Sequence, residues 1–260
     1  MIRVPILVLS LAALSSAYAH AQPSTSSNAK TWEGQAAAME DHLRRAEVVS
    51  LEDISVGVTR PRRAHLSPRD PFESLAWKVL PPGMRGGYRE SYKSEIAAYE
   101  LDKFIGLNMV PPAVERRIDG DVGAAIMWID GVSSVRDRGG KMPTGPTFGK
   151  PIRMMQMFDN LIGNIDRNGG NILIDGADHV ILIDHSRAFV AKQDLPWKFE
   201  RVDAGLWTIL KGLTAAGLKE RLSAWIDDEA IDAMIARRDR MKTTVDALVA
   251  RKGAAAVIVR

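Results

Sequence analysis

The sequence predicts an α+β fold with two lobes: a small β-rich N-terminal lobe with one main helix, and a mainly helical C-terminal lobe. In the first half of the chain, short apolar runs are separated by turns rich in Gly and Pro, and one long stretch, Tyr92 to Ile105, has helical spacing. In the second half, helical spacing dominates, over 152–162, 206–213, 218–225 and 231–249. With 46% hydrophobic and 26% charged residues, the 260-residue chain can bury a sizeable core. We place the N-terminal lobe at residues 32–130 and the C-terminal lobe at residues 131–260.

The first residues have the pattern of an export signal. Arg3 precedes a compact apolar run from Ile6 to Ala13, and Ala17-Tyr18-Ala19 is a small-x-small cleavage sequence. We therefore expect a signal peptide at residues 1–21, a Ser-rich linker at 22–31, and an exported protein that is periplasmic or secreted. No later apolar run is long enough to span a membrane, so no integral membrane segment is expected after the signal is removed.

Composition and motifs exclude several classes of function. The chain contains no Cys, which excludes disulfides and thiol catalysis. A formal net charge of +3, spread along the chain, does not indicate a nucleic-acid partner. The five His residues lack the spacing of a zinc site, and no Gly-x-Ser-x-Gly elbow of a serine hydrolase is present.

The first elements of the N-terminal lobe are expected to be a helix and a strand–turn–strand unit. Apolar residues with helical spacing predict a helix over Trp32 to Val49. A strand-like segment, Ile54 to Val58, then leads into the cationic turn Thr59 to Arg63. With Gly57 beside it, this turn is a candidate cover for nucleotide phosphates, although it matches neither a Walker loop nor Gly-x-Gly-x-x-Gly. A solvated basic turn is the alternative interpretation.

A short strand contains the candidate phosphate-binding lysine. Leu75 to Leu80 has the pattern of a strand ended by Pro81-Pro82. Alternation along a strand places Ala76 and Lys78 on one face. A small residue there leaves room for adenine, and a Lys two positions later reaches the α- and β-phosphates, which is the order found in a Val-Ala-Ile-Lys strand.

The main helix, Tyr92 to Ile105, supplies a candidate counter-ion for this lysine. Gly106 follows the helix as a plausible cap. Glu95 lies at the edge of the apolar stripe and can face inward. Because a buried ammonium group needs a countercharge, we expect Glu95 to pair with Lys78, with Glu100 as the alternative.

A buried strand, a loop and a helix connect the two halves. Gly123 to Ile129 predicts a buried strand, with Met127 to Ile129 beside the adenine at the hinge between the lobes. Residues 133–150 are rich in Gly, Arg and Pro and predict a mobile loop. Ile152 to Ile162 predicts the helix that leads into the next segment.

Three polar residues, Asp166, Asn171 and Asp184, then interrupt otherwise apolar segments. Asp166 and Asn171 are five positions apart across a Gly-rich turn. Asn171 opens the apolar run 172–174, and Asp184 follows a second run, 180–183. If these runs pair as a hairpin, Asn171 and Asp184 lie at the same end of it, with Asp166 on the loop beside them.

This arrangement is what phosphoryl transfer requires. One carboxylate orients the attacking hydroxyl, and an Asn and a second Asp hold a metal ion across the nucleotide phosphates. We therefore assign Asp166 as the catalytic residue, and Asn171 and Asp184 as the metal ligands. Lys78 and Glu95 form the predicted ATP-binding pair. The expected cofactors are ATP and Mg²⁺, or Mn²⁺, because oxygen ligands suit these ions.

The same residues resemble those of the atypical protein-kinase-like superfamily. Gly-Asn-Ile-Asp-Arg around Asp166, followed by Asn171 and by Ile-Asp-His around Asp184, is similar to phosphatidylinositol 3-/4-kinase-like proteins, especially the type II 4-kinases, and to secreted Fam20-type kinases. GVTRPRRAHL and SEIAAYELDKFIGLNMVPPAVERRI resemble the first hairpin and the main helix of these families, and the helix glutamate maps onto Glu95. Asn164-Ile165 replaces the His-Arg of ordinary kinases, and His and Ser replace the Phe-Gly that follows the second Asp.

The resemblance implies a bilobal protein-kinase-like fold and transfer of the γ-phosphoryl group of ATP to a hydroxyl acceptor, which is a protein, a sugar or an inositol lipid. Two alternatives share the fold: a catalytically inactive secreted nucleotide-binding module, which is a serious rival because ATP is scarce outside the cytoplasm, and an enzyme that transfers AMP. A calcium loop is a weak competitor, because Gly170 and Asn171 break its pattern. Turn chemistry alone is a further alternative for any single Asp or Asn.

Overall fold

The computed structural model describes residues 29–54 and 61–260. The N-terminal elements, in chain order, are α1 (Ala36–Arg45), β1 (Glu47–Asp53), β2 (Arg62–Ser67), β3 (Ser74–Lys78), β4 (Gly83–Arg85), β5 (Tyr88–Glu90), α2 (Tyr92–Ile105), β6 (Ala113–Ile118) and β7 (Asp121–Met127). The later elements are β8 (Val132–Ser134), α3 (Pro146–Ile162), β9 (Ile172–Asp175), β10 (Val180–Leu182), β11 (Val202–Asp203), α4 (Ala204–Lys211), α5 (Ala215–Leu222), α6 (Asp228–Lys252), α7 (Ala254–Val257) and β12 (Ile258–Val259). The predicted α+β arrangement, a β-rich first part with one main helix and a helical second part, is confirmed.

An antiparallel sheet of five strands, in the order β1-β2-β3-β7-β6, forms the N-terminal part. Its two faces bury different cores because successive side chains of a strand point to opposite sides. On β7, Ala125 belongs to the core shared with α1, whereas Ala124 belongs to the core shared with α2 and the C-terminal helices. Lys78 pairs with Ala124 in the register of β3 and β7, and Trp77 pairs with Ala125. Lys78 therefore faces α2, and Trp77 packs towards α1.

The main helix α2 has the bounds that its sequence predicts. The side chain of Ser91 accepts a hydrogen bond from the amide of Lys93 and caps the first turn. Gly106 ends the helix in the left-handed conformation, at φ 64°, which glycine adopts without strain. Asp102 in the last turn is buried and accepts hydrogen bonds from the amides of residues 108–110, which fixes the path of the chain into β6.

The predicted hairpin in the second half is present as β9 and β10. The two strands are antiparallel, with Ile174 opposite Val180 and Ile172 opposite Leu182. The amide of Ile183 donates to the carbonyl of Asn171 at 3.2 Å, so the ladder continues to the end of the hairpin where Asp184 follows. This register brings the two predicted metal ligands to the same end.

Two predictions about secondary structure are wrong in part. The helix expected over Trp32 to Val49 is limited to α1, because the backbone becomes extended at Ala46 (ψ 136°) and the residues after it pair with β2. The loop expected over residues 133–150 is shorter, since β8 adds a third strand beside β9 and α3 begins at Pro146. A proline is favourable in the first turn of a helix because it lacks only an N–H that would have no partner there.

Some predictions fall on residues outside the described ranges. They are the signal peptide at 1–21, most of the linker at 22–31, residues 55–58 of the strand-like segment and residues 59–60 of the cationic turn, whose last two residues, Arg62 and Arg63, begin β2. Within residues 29–54 and 61–260, none of the helices has the length and apolar character needed to cross a membrane.

Candidate active site

A cavity of about 590 Å³ is lined by residues of β3, α2, β7 and the β9–β10 hairpin. Its apolar lining includes Ala76, Met127 and Leu173, as the predicted adenine side requires. All five of the predicted site residues also line it: Lys78, Glu95, Asp166, Asn171 and Asp184. Side chains that are up to 106 positions apart in the sequence therefore meet at one concave site.

Lys78 joins the two halves of this site. Its Nζ atom lies 2.6 Å from Oε1 of Glu95 and 2.8 Å from Oδ1 of Asp184. The alternative partner, Glu100, instead pairs with Lys103 on the surface of α2. Burial by itself lowers the pKa of Lys78, but the carboxylates of Asp184 and Glu95 outweigh it and hold the pKa above its ordinary value, so the ammonium form persists.

The pKa values of the two carboxyl groups shift in the direction opposite to that of Lys78. Burial favours the neutral form of both, yet the neighbouring ammonium group of Lys78 prevails and lowers the pKa of Asp184 and of Glu95 below their ordinary values. Hydrogen bonds from Ser186 to Asp184 and from His185 to Glu95 act in the same direction. Both carboxyl groups are therefore ionised at neutral pH.

Asp184 has a strained backbone and one available oxygen. Its φ is 58°, a left-handed conformation that costs an L-residue roughly 1–2 kcal/mol. Oδ1 accepts from Lys78 Nζ and from Ser186 Oγ, at 2.8 and 2.9 Å. Within the described residues, Oδ2 has no hydrogen-bond donor, so this oxygen can ligate a cation.

Asn171 is oriented in a complementary way. It ends a short 3₁₀ turn, Gly169–Asn171, and its Nδ2 donates to the carbonyl of Asp166 at 2.9 Å. The amide oxygen has no donor in the part of the chain that the structure describes, and this is the atom that a hard cation prefers. Those residues contain no cluster of three or more His, Cys, Asp or Glu that could hold a metal. An ion at this site would therefore take most of its ligands from phosphate and water.

Asp166 lies at the mouth of the cavity, with its side chain 35% exposed. Oδ2 accepts from Nη1 of Arg187 at 3.1 Å, and Oδ1 accepts a longer bond of 3.3 Å from Nδ2 of Asn168. The backbone amide of Asp166 donates to Oδ1 of Asn164 at 3.1 Å. Asn164, which stands two positions before the Asp where ordinary kinases have His, thus fixes the backbone of the loop.

A buried polar network, which the sequence analysis missed, supports these residues from behind. Arg167 donates to both oxygens of Asp159, to the carbonyls of Asn171 and Ile183, and to Nε2 of His185. Because a guanidinium group has only donors, Nε2 of His185 must accept, and the neutral ring has its proton on Nδ1. Burial lowers the pKa of His185, which keeps the ring neutral. Asp159, a charged residue inside the apolar run of α3, was the available sequence signal for a buried partner.

The N-terminal half of α2 is bonded to the segment that follows Asp184. The backbone amide of His185 donates to Oε2 of Glu95 at 2.9 Å, and the amide of Ser91 donates to the carbonyl of Ser186 at 3.0 Å. One turn further, Ser94 Oγ donates to the carbonyl of residue 188. Glu95 is thus the common partner of Lys78 and of the segment after the second Asp, which explains its nearly complete burial.

Comparison with known proteins places this fold. No protein family model and no curated protein matches the chain. Among solved structures, the chain is similar to the Golgi casein kinase, with a TM-score of 0.65 and 14% identity over 86% of this chain and 79% of the other. A structure of the same kinase with Mn/ADP bound gives a TM-score of 0.65 and 14% identity over 87% and 79% of the two chains. The structure of hydra Fam20 with sugar gives 0.65 and 16% identity over 85% and 90%.

These likenesses define the class of fold. Two thirds or more of each chain is covered, so the similarity extends over both the sheet and the helical part. The chain therefore has a kinase-like fold similar to that of these structures, as the sequence resemblance predicted. The identity of 14–16% is too low to transfer an activity, which must be argued from the site itself.

Proposed function

We propose that the protein is a phosphotransferase that depends on ATP and a divalent metal and transfers the γ-phosphoryl group to a hydroxyl acceptor in an exported compartment. The observation that supports this most strongly is the contact of one buried ammonium group, Lys78, with both Glu95 and Asp184. In protein kinases, the strand lysine that holds the nucleotide phosphates pairs with a glutamate of the main helix, and the aspartate that binds metal must also be in place. The Mn/ADP complex of the similar Golgi casein kinase gives further support.

The nucleotide would occupy the cavity from its apolar to its polar end. Ala76 and Met127 would provide apolar lining for a base, next to the predicted hinge residues Trp128 and Ile129. Lys78, two positions after Ala76 on the same face of β3, holds the phosphates, with Glu95 as its fixed counter-ion. The base and the phosphates are thereby ordered along one strand.

The metal would be bound by Asn171 and Asp184. Their available oxygens, Oδ1 of the amide and Oδ2 of the carboxylate, are at the same end of the β9–β10 hairpin. This donor set suits Mg²⁺ or Mn²⁺, which keep several waters and bind through one or two carboxylates plus substrate phosphates. Such an ion neutralises the charge of the β- and γ-phosphates when it is bound.

Asp166 would orient the acceptor hydroxyl and take its proton. It is the most exposed of the three acidic site residues, so an acceptor can reach it from solvent. Asn168 donates a hydrogen bond to its carboxylate, and Asn164 accepts one from its backbone amide, which holds the loop in place. The acceptor class stays open among proteins, sugars and inositol lipids, since hydra Fam20 was solved with sugar but the fold supports several acceptors.

The deciding experiment uses ATP labelled at either the α- or the γ-phosphate, with Mg²⁺ or Mn²⁺ and one acceptor of each class. We expect transfer of the γ-label and loss of this transfer in Asp166→Asn. Transfer of the α-label instead would identify AMP transfer. Nucleotide binding without transfer to any acceptor would identify an inactive binding module, and no nucleotide binding at all would refute the proposal.

A further inference from the structure

Arg187 lines the same cavity and has no role in the assignments made above. It lies three positions after Asp184, and its Nη1 atom is 3.1 Å from Oδ2 of Asp166. In residues 29–54 and 61–260, this is the one ion pair that Asp166 makes. A guanidinium group is thus placed directly beside the carboxylate that would orient the acceptor.

The guanidinium group is held by the β4–β5 hairpin. Its Nε and Nη2 atoms both lie 2.8 Å from Oε1 of Glu90, which is buried at the end of β5. Its Cζ atom lies 4.5 Å from the centre of the Tyr88 ring. Contacts of this kind fix the plane of an arginine and reduce the entropy lost when it binds an anion. The group is therefore preorganised before any ligand is bound.

Two N–H bonds of Arg187 are left for a ligand. A guanidinium group has five N–H donors. Three contacts with Glu90 and Asp166 engage three of them, and the described residues provide no acceptor for the other two. The side chain is 19% exposed, and Arg187 is one of the residues that line the cavity.

The negative charge of a transferring phosphoryl group would require a cation at the position of Arg187. Phosphoryl transfer spreads negative charge over the oxygens of the transferring group, and an arginine near them can accelerate the reaction by about 10³-fold or more. Lys78, which would hold the α- and β-phosphates, already pairs with Glu95 and Asp184, and its side chain is only 7% exposed. Asn168, two positions after Asp166, is neutral and therefore cannot supply positive charge beside the transferring group.

We propose that Arg187 is a catalytic residue that donates hydrogen bonds to the γ-phosphoryl group as it is transferred. The inference rests on the proposed function. In the step, Asp166 takes the proton of the acceptor hydroxyl while the acceptor oxygen bonds to the γ-phosphorus. The bond from this phosphorus to the bridging oxygen breaks at the same time, and its electron pair leaves with ADP. Arg187 neutralises negative charge on the phosphoryl group while this group lies between the acceptor oxygen and the bridging oxygen.

A transition-state mimic tests this role without knowledge of the acceptor. ADP with Mn²⁺ is titrated into the protein in the absence and presence of aluminium fluoride, which imitates a phosphoryl group in transfer. We expect aluminium fluoride to tighten ADP binding by at least about 10-fold in the wild type, since transition-state analogues bind about 10²-fold or more tighter than ground-state ligands. In Arg187→Met, this gain should disappear, while the Kd for ADP with Mn²⁺ stays within about 3-fold of the wild type, because the role is confined to the transferring group.

Two further variants separate catalysis from structure. Arg89→Met removes an arginine of the same hairpin, which pairs with Asp227 and does not line the cavity. It should keep the full gain. Arg187→Lys keeps the charge but loses the planar fork, so part of the gain should remain. Once an acceptor is known, Arg187→Met should lower kcat without changing the KM for ATP.

The outcomes are distinguishable. A wild type that does not bind ADP with Mn²⁺ overturns both the proposed function and this inference. A wild type that binds ADP but shows no gain with aluminium fluoride, or an Arg187→Met variant that keeps the gain, overturns the inference alone. The inference is also overturned if Arg187→Met weakens the binding of ADP alone as much as the binding of ADP with aluminium fluoride. It is overturned as well if Arg89→Met loses the gain, because the effect of Arg187 would then be structural.

Discussion

Replacement of Lys78 with Met removes the ammonium group between two carboxylates and keeps a side chain of similar length. Oε1 of Glu95, whose side chain is 3% exposed, then loses its cation. Oδ1 of Asp184 keeps the hydrogen bond of Ser186, and this side chain is 29% exposed and can regain water. Breaking a buried pair costs about 3–5 kcal/mol. Because Asp184 is partly hydrated and Glu95 keeps the amide of His185, we expect the lower value, about 3 kcal/mol, at pH 8.

The pH dependence of this loss has a defined sign. In the wild type, Lys78 outweighs burial and holds the pKa of Glu95 and Asp184 below the ordinary values of 4.5 and 3.8, so their stabilisation is present above these values and is lost as the pH falls below them. In the variant, burial without the ammonium group raises the pKa of Glu95. The folded variant then takes up a proton and gains up to about 1.4 kcal/mol of stability per pH unit below that pKa. The difference between the two proteins should therefore narrow from pH 8 to pH 5.

Thermal and urea unfolding followed by circular dichroism at both pH values would measure this. A loss of about 3 kcal/mol corresponds to a Tm that is lower by roughly 6–12 °C for a chain of this size. The double variant Lys78→Met/Glu95→Gln should recover part of the loss at pH 8, because no unpaired charge stays buried. Lys103→Met, which breaks pairs on the exposed face of α2, is the matched control and should cost less than about 1 kcal/mol. A Lys78→Met loss below about 1 kcal/mol, or one that is equal at both pH values, would refute the reasoning.

Three further predictions concern the metal, the acceptor and the sheet. Asp184→Ala should abolish the rise in Tm that ADP with Mn²⁺ produces in the wild type, and an unchanged affinity would remove its assigned role. Asp166→Asn should lower phosphoryl transfer by about 10²–10⁴-fold while it binds ADP normally, and a wild-type rate would contradict its assignment. Gly123→Ala should destabilise the fold by about 1–3 kcal/mol and weaken nucleotide binding, because the added Cβ would lie 2.3 Å from the carbonyl oxygen of Lys78. Gly170→Ala is its control: the Cβ there meets only the flexible end of Arg136, and the two variants should differ clearly in Tm.

The sequence was sufficient to predict those elements in which several local signals agree. The main helix has a continuous apolar stripe, a Ser cap and a terminal Gly, so its bounds follow from the chain alone. The β9–β10 hairpin has two short apolar runs with an Asp-Gly turn between them, and its register places Asn171 and Asp184 together. The α+β class could be predicted from the same signals, because they divide the chain into a strand-rich and a helix-rich part.

Other features depend on contacts that no local pattern encodes. The valines of β1 continue the helical spacing of α1, and only pairing with β2 makes them a strand. Arg167 and Arg187 are both close in sequence to predicted site residues, but their functions depend on the partners that they contact in the fold. For Arg187, that partner is Glu90, which is 97 positions away. His185 could be noticed as a departure from a motif, yet its neutral state follows only from its burial against Arg167.

The bonds between α2 and the segment after Asp184 restrict how such an enzyme could be switched off. An outward swing of this helix would break the contacts of Glu95 with Lys78 and His185 and those of Ser91 with Ser186 together, and it would leave buried charges without partners. An inactive form made by displacing the helix would therefore have a high free energy. In the proposed phosphotransferase, the helix would therefore act as a fixed wall of the site.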